Sequence, residues 1–130
     1  MEQRITLITL GVADLQRSKK FYTEVFGWDP LPSSNDNIIF FQLNGLLLSL
    51  FSSHALAEDA TVSPEGTGFR KFSLAHNVGS EQEVDSLFAA LVRKGATSIK
   101  KPEKVFWGGY SSYVADPDGN LWEIAFNPFM

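Results

Sequence analysis

The sequence predicts an α+β fold made of two βαβββ modules, and three observations carry that prediction. Short runs of β-branched and aromatic residues alternate with the tight-turn pairs Asn44-Gly45 and Asp118-Gly119, the signature of antiparallel hairpins. Two longer segments place apolar residues at helical spacing, each behind a capping residue and each closed by glycine. The order of these pieces then recurs. Val12 and Val78 both stand at a strand-to-helix junction, an offset of 78 − 12 = 66 residues, about half of the 130-residue chain. A repeat of pattern at that period is weighed before any local motif.

Taken in order, Ile5–Val12 is apolar and β-branched and reads as a strand. Asp14 caps a helix over Leu15–Phe26, whose Phe21/Val25 and Tyr22/Phe26 pairs give it one sticky face, and Gly27 ends it. Pro30, Pro32 and Ser33–Asn37 make a loop or short edge strand. Ile38–Leu43 and Leu46–Phe51 form a hairpin around Asn44-Gly45. Residues 53–68 read as a linker with a short helix over His54–Ala60. They join modules 1–52 and 69–130 of a single domain, 1–130. Phe69–Val78 reads as a strand. Ser80-Glu81-Gln82-Glu83 is a capping box, followed by Val84, Leu87, Phe88, Leu91 and Val92 at i, i+3, i+4, i+7, i+8 spacing, with Gly95 as the stop. Ala96–Val105 is a mixed polar strand or loop. Tyr110–Ala115 and Leu121–Phe126 form the last hairpin, with Asp116 and Asp118 as turn residues.

The composition narrows the function. The chain is 44% hydrophobic and 20% charged, with eleven Phe and three Trp, which suits a packed sheet or a pocket for a flat, greasy ligand. A net charge of −4, with no Lys/Arg run longer than two, argues against nucleic acid and anionic membranes as partners. The absence of cysteine excludes disulfides, thiolate metal sites and a thiol nucleophile. No signal-like or membrane-spanning apolar block is present, so a cytoplasmic location is expected.

Each module covers one sheet face with its helix and leaves the other bare. Two modules side by side are expected to shape a shared cleft, a preferred place for small molecules. Glu123 sits in the apolar middle of the last strand. An ionised carboxylate there must face water, face a cavity or meet a cation, because burying it unpaired is costly. Lys71 is the candidate cation.

Val12-Ala13-Asp14-Leu15 with Ser18, Phe21-Tyr22, Gly27-Trp28, and then Asp116-Pro117-Asp118-Gly119-Asn120 with Glu123, resemble the glyoxalase/bleomycin-resistance protein/dioxygenase superfamily, also called vicinal oxygen chelate proteins. Phe106-Trp107-Gly108-Gly109-Tyr110 is similar to a small glyoxalase-like subgroup. The resemblance implies the paired-module fold of that superfamily and a homodimer. It also implies a divalent metal held by the first and last strand of each module. Those positions fall here on Leu7, Ser49, Lys71 or Ser73, and Glu123. Only Glu123 suits a metal, since leucine cannot donate, lysine brings a positive charge and a neutral serine is a poor ligand. His76 is out of phase with Lys71 and Ser73, and His54 lies in the linker. No cofactor is therefore expected, and a divalent metal is disfavoured.

The first functional expectation is a metal-free protein of the bleomycin-resistance type, holding a small apolar or aromatic ligand. Leu7, Leu47, Ser49, Phe51, Lys71, Ser73, Trp107, Tyr110, Tyr113 and Glu123 are the candidate ligand-binding residues. Glu123 is the best candidate for any catalytic carboxylate. The second expectation is a divalent-metal lyase or isomerase of the glyoxalase class, with lactoylglutathione lyase activity disfavoured by the incomplete ligand set. The third is a dimeric scaffold without a ligand.

Overall fold

The computed structural model describes Met1–Met130, and the chain divides into two units, Met1–Thr67 and Gly68–Met130. The fold is α+β, with an open mixed sheet in each unit. No helix is long and apolar enough to cross a membrane.

The first unit contains β1 (Leu7–Val12), α1 (Leu15–Glu24), β2 (Ile38–Gln42), β3 (Leu47–Ser52) and α2 (Ser53–Asp59). Its sheet runs β1-β3-β2, with β1 parallel and β2 antiparallel to β3. Asp14 caps α1 as its sequence context predicts, accepting the Arg17 N–H at 3.0 Å. The helix stops at Glu24, two residues short of Phe26, and the chain folds back so that the Trp28 N–H donates to the Tyr22 carbonyl at 3.1 Å. That return carries Phe26 and Trp28 onto Tyr22 and Phe41, with ring centroids 5.1–6.0 Å apart. Leu10, Val12, Ile39, Phe41, Leu48 and Leu50 complete a buried layer. The segment with Pro30 and Pro32 forms no strand. It touches β2 through two backbone bonds, from the Leu31 N–H to the Phe40 carbonyl at 2.7 Å and from the Asn35 N–H to the Ile38 carbonyl at 2.9 Å, and no ladder forms because proline cannot donate to one.

The second unit contains β4 (Leu74–Asn77), α3 (Glu81–Lys94), β5 (Thr97–Lys104), β6 (Tyr110–Ala115) and β7 (Leu121–Phe126). The order is β4-β7-β6-β5, with only β4–β7 parallel. Ser80 caps α3 as predicted, and Glu83 reaches back one residue beyond the cap instead of closing the box on Ser80. The Ser80 hydroxyl accepts the Glu83 N–H at 3.1 Å, and Glu83 reaches back to the Gly79 N–H at 2.6 Å. Val84, Phe88 and Leu91 of α3 are buried, as are Val114, Trp122 and Ile124 of the sheet it packs on.

Most strand ends lie within two residues of the sequence reading, and two strands differ from it in a way that matters for the site. The strand expected over Phe69–Val78 is only Leu74–Asn77, since Gly68 (φ +85°) and Lys71 (φ +66°) take left-handed conformations that no strand tolerates. Thr97–Lys104 is a full strand, but its register against β6 shifts on either side of Lys100, with Pro102 in the second shift.

The β6–β7 turn is built on one carboxylate. Asp116 is 3% exposed. Its Oδ1 accepts the backbone N–H groups of Asp118 and Asn120, each at 2.9 Å, and its Oδ2 accepts the Asn120 side-chain amide at 2.8 Å. Removing the acceptor leaves the part-buried Asp118 N–H and the two buried Asn120 donors without it, and a buried donor left unpaired costs roughly 1–3 kcal/mol, less where water reaches it. Asp116→Ala is therefore expected to lower stability by about 2–4 kcal/mol, measured by urea denaturation.

Candidate functional site

Strand alternation decides what Glu123 faces. Across the β6–β7 pair, Glu123 lies opposite Tyr113, and Ser111 lies opposite Ala125, so Glu123, Tyr113 and Ser111 share a face. Trp122, Ile124 and Val114 point the other way and are buried. The Ser111 hydroxyl donates to Glu123 Oε1 at 2.6 Å, a short charge-assisted bond. Glu123 is half-buried and makes no ion pair.

A groove of about 310 Å³ opens over these residues. Tyr113 and Trp107 supply its aromatic surface, and Lys100, Glu103 and Lys104 its charged edge. Lys100 lies opposite Tyr113 and Glu103 opposite Ser111, and the two close a 3.1 Å ion pair. On a regular strand, residues three apart face opposite ways. The register shifts beside Lys100 put both on the groove side. Lys100, Glu103, Lys104, Phe106 and Ser111 are absent from the sequence-based set. Pro102 inside a strand-like run is the signal that marks the irregularity.

Trp107 is placed by its own turn. Val105 and Gly109 exchange backbone contact through Val105 N–H to Gly109 O at 3.0 Å, and Gly108 N–H bonds Val105 O at 3.0 Å. The indole folds back over Gly109, where a methyl group would overlap the ring. Trp107 remains 36% exposed, and neighbouring Phe106 projects fully into solvent.

Tyr110 lies elsewhere. Its hydroxyl donates to Asp85 Oδ1 of α3 at 2.8 Å, which takes it away from the groove. That hydrogen bond, then burial and the negative charges of Asp85 and Glu81, raise its pKa above the ordinary phenol value. Lys71 and Ser73 fall outside β4, in the segment turned by the left-handed residues. Lys71 makes no ion pair with Glu123, which corrects the expected partnership. The β4 residue opposite Glu123 is Ala75. His76 lies opposite Ile124, on the other face from Glu123, and His54 is exposed on α2.

In the first unit, Leu7, Leu47, Ser49 and Phe51 share one sheet face with Thr9. Ser49 is fully buried, and its hydroxyl is 2.7 Å from that of Thr9. Leu7 is 39% exposed. The chain has no group of three or more His, Cys, Asp or Glu side chains arranged to hold a metal ion.

Comparison with known proteins agrees with this architecture. The sequence model of the Glyoxalase/Bleomycin resistance protein/Dioxygenase superfamily matches residues 4–124. A lactoylglutathione lyase from Arabidopsis thaliana is 28% identical over 94% of this chain; the chain spans only 44% of that protein's length. A metallothiol transferase from Lysinibacillus sphaericus is 28% identical over 94% of this chain and 81% of its own length. The crystal structure of a glyoxalase-related enzyme from Fulvimarina pelagi is 43% identical, covering 98% of this chain and 90% of its own, with a TM-score of 0.88.

Two outcomes follow from the contacts. Glu123→Gln keeps an acceptor for Ser111 and breaks no ion pair, so stability is expected to change by less than about 1 kcal/mol in thermal or urea unfolding. In an ultraviolet titration, the Tyr110 phenol is expected to ionise above the ordinary range. Asp85→Asn removes the charge that holds that proton, so it should bring the midpoint down.

Proposed function

The chain belongs to the glyoxalase/bleomycin resistance protein/dioxygenase superfamily, and from that premise we propose that it binds a small planar or aromatic molecule in the Glu123 groove without a metal. The observation that carries this reading is the setting of Glu123. Its carboxylate is oriented by Ser111, lies beside Tyr113 and Trp107, and makes no ion pair, while Lys100 on the same side is paired with Glu103. Such a carboxylate accepts hydrogen bonds from a ligand N–H or O–H. The two aromatic side chains supply apolar surface and stacking. A groove of about 310 Å³ matches a compact ligand, at the small end of ordinary binding pockets.

The positions at which the family resemblance would put metal ligands do not suit a divalent cation. Leu7 offers no donor, Ser49 is engaged with Thr9, Lys71 and Ser73 lie outside the strand, and Ala75 stands opposite Glu123. One carboxylate remains where a closed or open metal site needs three or more donors.

A second reading, a divalent-metal lyase or isomerase of the glyoxalase class, draws on the names of the relatives, a lactoylglutathione lyase and a metallothiol transferase. Metal analysis of protein prepared without a polyhistidine tag separates the two. The metal-free reading expects no stoichiometric zinc, nickel or iron, and one bound ion per chain would overturn it.

Ligand binding is tested by thermal shift against a panel of aromatic compounds with and without hydrogen-bond donors. A true ligand at about 100 times its Kd adds about 2.7 kcal/mol. Trp107→Ala and Glu123→Gln are each expected to weaken the best donor-bearing hit by about tenfold. If no compound shifts the transition, or if neither substitution matters, the groove is not the binding site, and a scaffold role becomes the better reading.

A further inference from the structure

A second hollow of about 260 Å³ lies in the same unit, away from Trp107 and Tyr113. Phe69, Arg70 and Phe72 bound one side, and the β6–β7 turn from Gly119 to Leu121 bounds the other. The two rings are 67% and 44% exposed, an amount of open apolar surface that a small unit does not need for folding.

The local charge is one-sided. From Gly66 to Ser80 the sequence has no acid, in a chain whose net charge is −4. Arg70 makes one side-chain bond, from Nη1 to the Gly68 carbonyl at 3.2 Å, and neither Arg70 nor Lys71 makes an ion pair. The guanidinium therefore keeps most of its donors. The backbone is held in an uncommon shape to produce this. Gly68 and Lys71 both have positive φ, a conformation that a lysine rarely adopts. The bend gathers Phe69, Arg70 and Phe72 around one hollow, where a regular strand would send alternate residues to opposite faces. The opposite wall is rigid, because Asp116 ties down Asn120 through both backbone and side chain.

We propose that this hollow is a binding site for a small aromatic carboxylate. The planar guanidinium takes the carboxylate, two parallel N–H···O bonds being the geometry arginine favours, and the phenyl rings take the flat body. Lys71 adds positive potential beside it. This is a different chemistry from the Glu123 groove, whose carboxylate accepts from donors and whose lysines, Lys100 and Lys104, are matched by Glu103 and Glu123. The site stands whether or not that groove binds anything.

The test titrates the 130-residue chain, labelled with ¹⁵N, with 2-naphthoate and with its neutral analogue 2-naphthylmethanol. The carboxylate is expected to bind about tenfold tighter than the alcohol, and less tightly as salt is raised. Its shift changes should centre on the amides of Phe69, Arg70, Phe72 and Gly119. Arg70→Gln, a change at an exposed side chain, should erase the preference without moving the melting temperature. Phe72→Ala should weaken both compounds. Equal affinity for the two compounds, an unchanged preference in Arg70→Gln, or shifts centred on Ser111 and Tyr113 would each overturn the proposal. The last outcome would place the anion in the Glu123 groove, which is distinguishable from a groove that binds nothing.

Discussion

The β6–β7 register is the constraint on which the second unit depends. Side chains alternate faces along a strand, so a slip by one residue would exchange the two faces completely. Glu123 would then be driven under α3 with no partner, and Trp122 would be thrown into solvent. The Asp116 carboxylate prevents this by fixing the length of the turn. It binds two backbone N–H groups and one side-chain amide across four residues, and the Asp116 N–H bonds the Asn120 carbonyl at 3.1 Å. With that turn closed, Tyr113 must lie opposite Glu123 and Val114 opposite Trp122. The polar floor of the groove and the apolar floor under α3 are two faces of one decision.

Charge distribution around the groove follows from a second backbone feature, the irregularity in β5. The register shifts on either side of Lys100 bring Lys100 and Glu103 to the same side, where they neutralise each other. Had β5 been regular, only one of them would share Glu123's face. An exposed lysine–glutamate pair contributes little stability. Its consequence is chemical, because Lys100 is neutralised on the side where Glu123 has a hydroxyl donor and no ion pair. A carboxylate bonded only to Ser111 retains acceptor capacity for something else.

The elements with strong periodicity were legible from residues alone. Asp14 and Ser80 are recognisable caps because their side-chain oxygens sit one turn before an apolar stripe, and the structure uses each of them so. Once Glu123 is placed on the open face, period two puts Trp122 and Ile124 on the other, and both are buried. Phe69–Leu74 was not legible. Its apolar letters match a strand, but Lys71 adopts a positive φ that residue type gives no hint of, and the strand starts late. The same loss of phase removes Lys71 and Ser73 from the strand and takes away the expected Lys71 partner of Glu123. Tyr110 and Tyr113 were indistinguishable in the sequence because the choice rests on register. The structure turns Tyr110 to Asp85 and leaves Tyr113 beside Glu123.

By itself the sequence determined the α+β class, the caps, the hairpin turns and the isolation of Glu123 among apolar neighbours. These follow from local propensity and from spacing along the chain, which act over a few residues. The tertiary structure decided what Glu123 touches, which lysine is neutralised and where Trp107 lies. Those depend on register shifts, left-handed residues and the folding of an indole over a glycine. Each is a balance among distant backbone segments, and no short window of residues contains both sides of it.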